Sequence, residues 1–206
     1  MYLHEFWLGA LLGWGASIPI GPINLEIIRR NLNYGTATGM ALGLGACGAD
    51  VTYVLLLCLG FVNLLAHPEF LKVFGVIGSG ILIYFAIQAF RLKAGTAQNT
   101  TKPSGSIIRN GLEGYGLTLM NPFTVLFWAS VSSQISLSAA GAGWALFAAS
   151  VGVLFGTTTW VIFLNVLIKL TRHRLSNDTM RILNISGGII LIGFATYGLW
   201  HAFFVI

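Results

Sequence analysis

Two proline motifs and one aspartate are the residues of this chain with the means to do chemistry. The motifs are Pro19-Ile20-Gly21-Pro22-Ile23-Asn24 and Met120-Asn121-Pro122-Phe123. A proline inside a helix removes a backbone hydrogen bond, clashes with the preceding turn and pushes the residue before it out of helical conformation. Proline nonetheless suits the first position of a new helix, and Gly21 and Asn121 are residue types that cap one. Each motif therefore reads as a break followed by a half-helix with free N–H groups at its start. Such a start carries about half a positive charge and binds carboxylates. Two of them facing one interior would cradle a small carboxylate, with the amides of Asn24 and Asn121 as neutral donors and acceptors. Gly21, Pro22, Asn24, Asn121 and Pro122 are thus candidate substrate-binding residues.

Asp50 stands near the middle of a long apolar run, where an ionisable group is costly and marks function by default. Gly39, Gly43, Ala46 and Asp50 recur on one helical face, so the small residues pack against another helix and turn Asp50 inward. A carboxyl buried there suits a proton-coupling group that takes up and releases a proton during transport. The alternative is a structural acceptor for neighbouring backbone or hydroxyl groups. Glu26 lies one turn into the first half-helix with Arg29 and Arg30 at i+3 and i+4. It reads either as a local ion pair or as a site residue, a partner for a substrate amine or a cytoplasmic gate.

The remaining chemistry is thin. Gly152 and Gly156 repeat the small-residue face, but Ser150 stands where the acid would recur, and Asn165 and Asn184 are expected to form interhelical hydrogen bonds. Cys47 and Cys58 fall on one predicted helix roughly 16 Å apart at the helical rise, too far for a disulfide. His4, His67, His173 and His201 lie near predicted span ends, so no Cys/His set converges on a soft metal. No Ser/His/Asp, Cys/His or phosphate-loop arrangement points to an enzyme, and no cofactor is expected.

The elements that must hold these residues are membrane spans. Of 206 residues 56% are hydrophobic and 8% charged, against about a quarter charged in a soluble domain, and mean hydropathy is +0.82. Glycine occurs 26 times, as suits closely packed membrane helices. Met1 to Glu5 lack a basic n-region, so the first apolar run is expected to span the membrane and not to be a cleaved signal. Windows of about 20 apolar residues predict six spans, Phe6–Ile28, Thr38–Leu65, Leu71–Phe90, Ile107–Ile135, Gly143–Leu170 and Ile182–Ile206. Ten of the eleven basic residues fall around the first, third and fifth connections, leaving Lys72 alone on the other side. The net charge of +5 is thus a topology signal and not a nucleic-acid footprint; odd connections are cytoplasmic and both termini outside.

Pro22 lies sixteen residues after Phe6 and Pro122 sixteen after Ser106, so the first and fourth spans break at matching depth. The expected fold is an all-α membrane protein, a single transmembrane domain (1–206) of six transmembrane helices as two inverted three-helix repeats. The halves are residues 1–91 and 107–206, joined by a cytoplasmic linker (92–106), with helices 1 and 4 broken at Gly-Pro and Asn-Pro. Broken helices at corresponding positions of two inverted halves mark a transporter site, and the glycine faces would let the halves rock.

These residues resemble the lysine exporter superfamily, the LysE/RhtB-type amino-acid efflux permeases. The likeness lies in Pro19-Ile20-Gly21-Pro22, in Gly35, Gly39, Gly43 and Gly48 with Asp50, and in Asn121-Pro122 followed by Leu126-Phe127-Trp128. The resemblance implies a secondary active transporter exporting amino acids or related small metabolites across the bacterial cytoplasmic (inner) membrane by proton antiport. Its partners would be a small-molecule substrate, protons and the lipid bilayer, with no nucleic acid; a homo-oligomer stays open. Heavy-metal or cation efflux and thiol-disulfide electron transfer occur in the same superfamily and are the alternatives. Many members carry Lys or His after Asn-Pro where this chain has Phe123, and an apolar side chain there suits a neutral or apolar substrate.

Overall fold

The computed structural model describes residues 2–19, 21–58, 67–91, 105–130, 143–171 and 177–204. Its described elements are all helical: α1 (Leu3–Ser17), α2 (Pro22–Tyr34), α3 (Thr36–Cys58), α4 (Pro68–Arg91), α5 (Ile107–Leu119), α6 (Pro122–Ser130), α7 (Gly143–Thr171) and α8 (Asn177–Phe204). The expected linker (92–104 of it) and the side chain of Cys58 lie outside the described residues.

Both proline motifs break the chain. Pro22 occupies the first turn of α2, capped by an extended Gly21, and α1 and α2 meet at 74°. Pro122 likewise opens α6. The proline rings cannot accept the preceding turn, and the chain restarts instead of kinking. Among the described residues four helices (α3, α4, α7, α8) are long and apolar enough to cross a membrane, five if α1 and α2 form one bent span. The expected fourth span is divided between α5, of 13 residues, and α6, of 9.

One boundary differs in a way that matters. The first span was expected to end at Ile28, with Arg29 and Arg30 in the connection, but α2 runs on to Tyr34 and buries both arginines. It stops at Gly35, whose φ of 97° only glycine adopts freely; the Gly35 N–H still reaches the Asn31 carbonyl at 3.0 Å, and α3 follows at Thr36.

α1 packs along α7, α3 along α5, and α4 along α8, while α3 also crosses α7. Lipid is as apolar as leucine, so such contacts depend on close packing. At the α1–α7 seam a Cβ on Gly9 would strike the Ala149 carbonyl, and one on Gly152 or Gly156 the carbonyl of Phe6 or Ala10. The α3–α5 seam is built the same way, Gly45 against the Gly111 carbonyl and Gly114 against that of Leu42. Outward faces carry Phe147, Phe163, Ile189 and Phe203, all exposed, as helices facing lipid require.

Candidate functional site

The two breaks open on one cavity of about 300 Å³. Gly21, Pro22 and Asn24 line it from the first break, Asn121, Phe123 and Thr124 from the second, and Cys47 and Asp50 from α3. The sequence-predicted residues therefore converge, with two exceptions. Glu26 is not among the lining residues, and the side chain of Pro122 is outside what the structure describes.

Asn24 closes the first break. Its Nδ2 donates to the carbonyls of Ser17 (2.7 Å) and Pro19 (2.9 Å), while its Oδ1 accepts from Trp160 Nε1 at 3.2 Å. At the second break the Tyr53 hydroxyl donates to the Leu119 carbonyl at 2.5 Å. Backbone freed within a membrane span must find partners inside the protein, and these side chains supply them. The Asn24 amide was expected to offer its donors and acceptor to a ligand; it spends them on the chain.

The two half-helix starts were also expected to be equivalent, and they are not. At α6 the Phe123 N–H donates to Asn121 Oδ1 (3.1 Å), and those of Thr124 and Val125 reach the Asn121 carbonyl (3.0 and 3.1 Å). Asparagine caps its own helix and uses up the donors. Gly21 has no side chain to do so, and no described residue accepts from the N–H groups of Ile23 or Asn24. Among the described residues, the half-helix start with N–H groups left open is that of α2.

Asp50 is buried, with Oδ1 accepting from Trp128 Nε1 at 3.0 Å. Among the described residues no donor reaches its Oδ2. Trp128, fully buried on α6, packs with Tyr53, Val125 and Val153, so the second half of the chain orients the acid of the first. Gly43 lies against Val161, and Gly39 against Asn165 and Asn31: the glycine face meets α7 and α2 and directs Asp50 inward.

Glu26 belongs to a second, separate cluster. It is fully buried and accepts from Arg29 Nε (2.7 Å to Oε2), from Arg29 Nη2, and from Arg30 Nε (2.7 Å to Oε1). Arg30 continues to Asn110 Oδ1 and to Glu113 Oε2 (2.5 Å), and its guanidinium lies 5.2 Å from the centre of the Phe85 ring. Arg109 Nε completes the chain on Glu113 Oε1 at 2.9 Å. This network ties α2 to α5, and amide pairs tie α2 onward: Asn31 Nδ2 to Asn165 Oδ1 on α7 (2.7 Å) and Asn33 Nδ2 to Asn184 Oδ1 on α8 (2.8 Å). The interhelical role expected of Asn165 and Asn184 is the one they have.

Sequence reasoning passed over Asn110, Glu113, Trp160 and Phe194. Glu113 was traceable, standing at i+4 from Arg109; Trp160 and Phe194 carry no local signal that separates a cavity wall from a lipid-facing ring. Among the described residues no three His, Cys, Asp or Glu side chains are placed to hold a metal ion.

Comparison with known proteins gives a family match and two relatives. The model of the LysE type translocator family matches residues 15–201. A Bacillus subtilis (strain 168) protein named "Putative amino acid efflux protein YcgF" is 27% identical over 191 residues, covering 91% of each chain. "Uncharacterized membrane protein YahN" of Escherichia coli (strain K12) is 27% identical over 161 residues, 75% of this chain and 70% of that one. No solved structure matches.

Proposed function

This chain belongs to the LysE type translocator family and is a membrane transporter, and we propose that it exports amino acids or closely related small metabolites across the bacterial cytoplasmic membrane by proton antiport. The observation that carries the reading is the single cavity shared by both helix breaks and Asp50. Amino-acid efflux is also what the name of the Bacillus subtilis relative describes. The open amides of Ile23 and Asn24, at the positive end of α2, take the substrate carboxylate. Asp50, oriented by Trp128, takes the ammonium or the proton, and alternation between the two couples export to proton entry.

The same reading gives six spans in two inverted halves, 1–91 and 107–206, joined by 92–106, with α5 and α6 as the fourth, broken span. Its support is reciprocity in the packing. Exchanging the halves turns the α1–α7 contact into α5–α3, and it maps α3–α7 and α4–α8 onto themselves. Both termini lie outside, on the strength of the basic residues around the odd connections. The Glu26 network, near two of those connections and off the cavity, holds the cytoplasmic side closed in this conformation; the alternative of Glu26 as a partner for the substrate amine has no support from its position.

The test is counterflow in proteoliposomes against a panel of labelled amino acids, wild type beside Asp50→Asn. Wild type is expected to exchange an amino acid and to concentrate it against an imposed pH gradient. Asp50→Asn should exchange without concentrating. Wild-type accumulation that ignores the pH gradient would sink proton coupling, and resistance to a metal ion without amino-acid exchange would sink the substrate reading.

A further inference from the structure

The walls of the cavity select among amino acids. Four aromatic side chains line it: Phe123 and Phe127 from α6, Trp160 from α7 and Phe194 from α8. They are held in place by other rings and by hydrogen bonding. Phe123 stacks on Tyr197 with centroids 5.6 Å apart and meets Phe194 edge-on at 5.5 Å; Phe127 meets Trp128 edge-on at 5.4 Å. The indole N–H of Trp160 is engaged by Asn24, so this side chain shows the cavity its apolar surface. Ile23, Ile27 and Val161 fill the space between.

The charge inventory is equally restrictive. Asp50 is the one ionisable carboxylate among the described lining residues, and no Lys, Arg or His stands beside it. The nearest further acid on α2, Glu26, is saturated by two arginines and does not line the cavity. A second ammonium, as in a basic amino acid, would find no second anion, and a side-chain carboxylate would find no cation. A buried charge without a partner is strongly disfavoured. A short side chain would leave this apolar wall uncovered.

We propose that the substrate is a neutral amino acid with a large apolar side chain, of the leucine or phenylalanine class, whose side chain lies against Phe123, Phe127, Trp160 and Phe194 while its ammonium faces Asp50. This rests on the amino-acid export reading above. Each methylene moved from water into such a wall strengthens binding about fourfold, so leucine should outcompete alanine by more than about tenfold on the same scale.

The experiment is competition for counterflow by the purified full-length protein in proteoliposomes, with leucine, phenylalanine, alanine, lysine and glutamate at equal concentrations. Leucine and phenylalanine are expected to compete best, alanine weakly, lysine and glutamate least. Lysine, glutamate or alanine competing as well as leucine would overturn the assignment while leaving amino-acid export intact. Exchange of no amino acid at all, by protein that remains monodisperse, would remove the export reading and this one with it. The wild-type panel decides without any variant. Phe194→Ala then tests the wall itself, with a selective loss of leucine over alanine expected and Phe194→Leu restoring most of it; equal loss for both substrates would show that the ring only packs and would overturn its place in the site.

Discussion

The Glu26 network gives a prediction whose size follows from exposure alone. The side chain of Glu26 is 0% exposed and that of Arg30 2%, while Glu113 is 24% and Arg109 63% exposed. Glu26→Gln removes the charge that both arginines share and leaves Arg29 without an anion in a space that cannot hydrate it, while Arg30 keeps Glu113. Breaking a buried ion pair by removing one partner costs about 3–5 kcal/mol. For a chain of this length each kcal/mol moves the melting temperature by about 2–4 °C, so the expected drop is about 6–20 °C. Arg109→Ala removes an exposed charge of the same network and should leave the melting temperature close to wild type. Combining Glu26→Gln with Arg29→Met keeps the charge balanced and should recover part of the loss, because the two positions share one interaction. The assay is thermal unfolding of detergent-solubilised protein, followed by loss of monodispersity. If Glu26→Gln falls no further than Arg109→Ala, or if adding Arg29→Met deepens the drop, burial does not govern this network and the argument fails.

Two further predictions concern the elements that frame the cavity. Gly152→Ala puts a methyl group against the Phe6 carbonyl and should destabilise the protein by about 1–3 kcal/mol, whereas Gly193→Ala, with nothing within 4 Å, should stabilise it by about 0.5–1 kcal/mol as alanine replaces glycine in a helix; thermal unfolding of both checks the contrast. Asn121→Ala strips the cap from α6 and should cost about 0.5–2 kcal/mol. Amide hydrogen exchange should then accelerate at Phe123, whose acceptor is the lost side chain.

How much of this was readable from sequence divides along the range of the interactions. The breaks at Pro22 and Pro122 were legible because proline acts on its own turn, and Asp50 because a carboxylate in an apolar run has few uses. That Asp50 faces the interior followed from the glycine period. That a tryptophan 78 positions away would hold it did not, because the motif that contains Trp128 carries no local sign of which residue its indole meets. Arg29 and Arg30 misled for a physical reason. Paired basic residues beside an apolar run usually sit in a loop; here Glu26 holds both, and Arg30 is buried with the further help of Asn110 and Glu113, some eighty positions away. The difference between the two half-helix starts was latent in the sequence, since Asn121 can cap with its side chain and Gly21 cannot. Reading both motifs as equal ignored that glycine at a cap leaves its donors open.

The two glycine seams fix what can act as a rigid body. Each joins a helix from before residue 92 to one from after residue 106: α1 to α7, and α3 to α5. Backbone against backbone, such a seam has no side chains to give way, and parting it would forfeit close packing that lipid does not replace. The closest-packed pairs among the described helices therefore do not follow the division of the chain into halves. They are the pairs α1 with α7 and α3 with α5, each assembled across the midpoint of the chain. Motion that opens the cavity has to fall between these bodies, where α2 and α6 lie and where the contacts are side chains that can exchange partners.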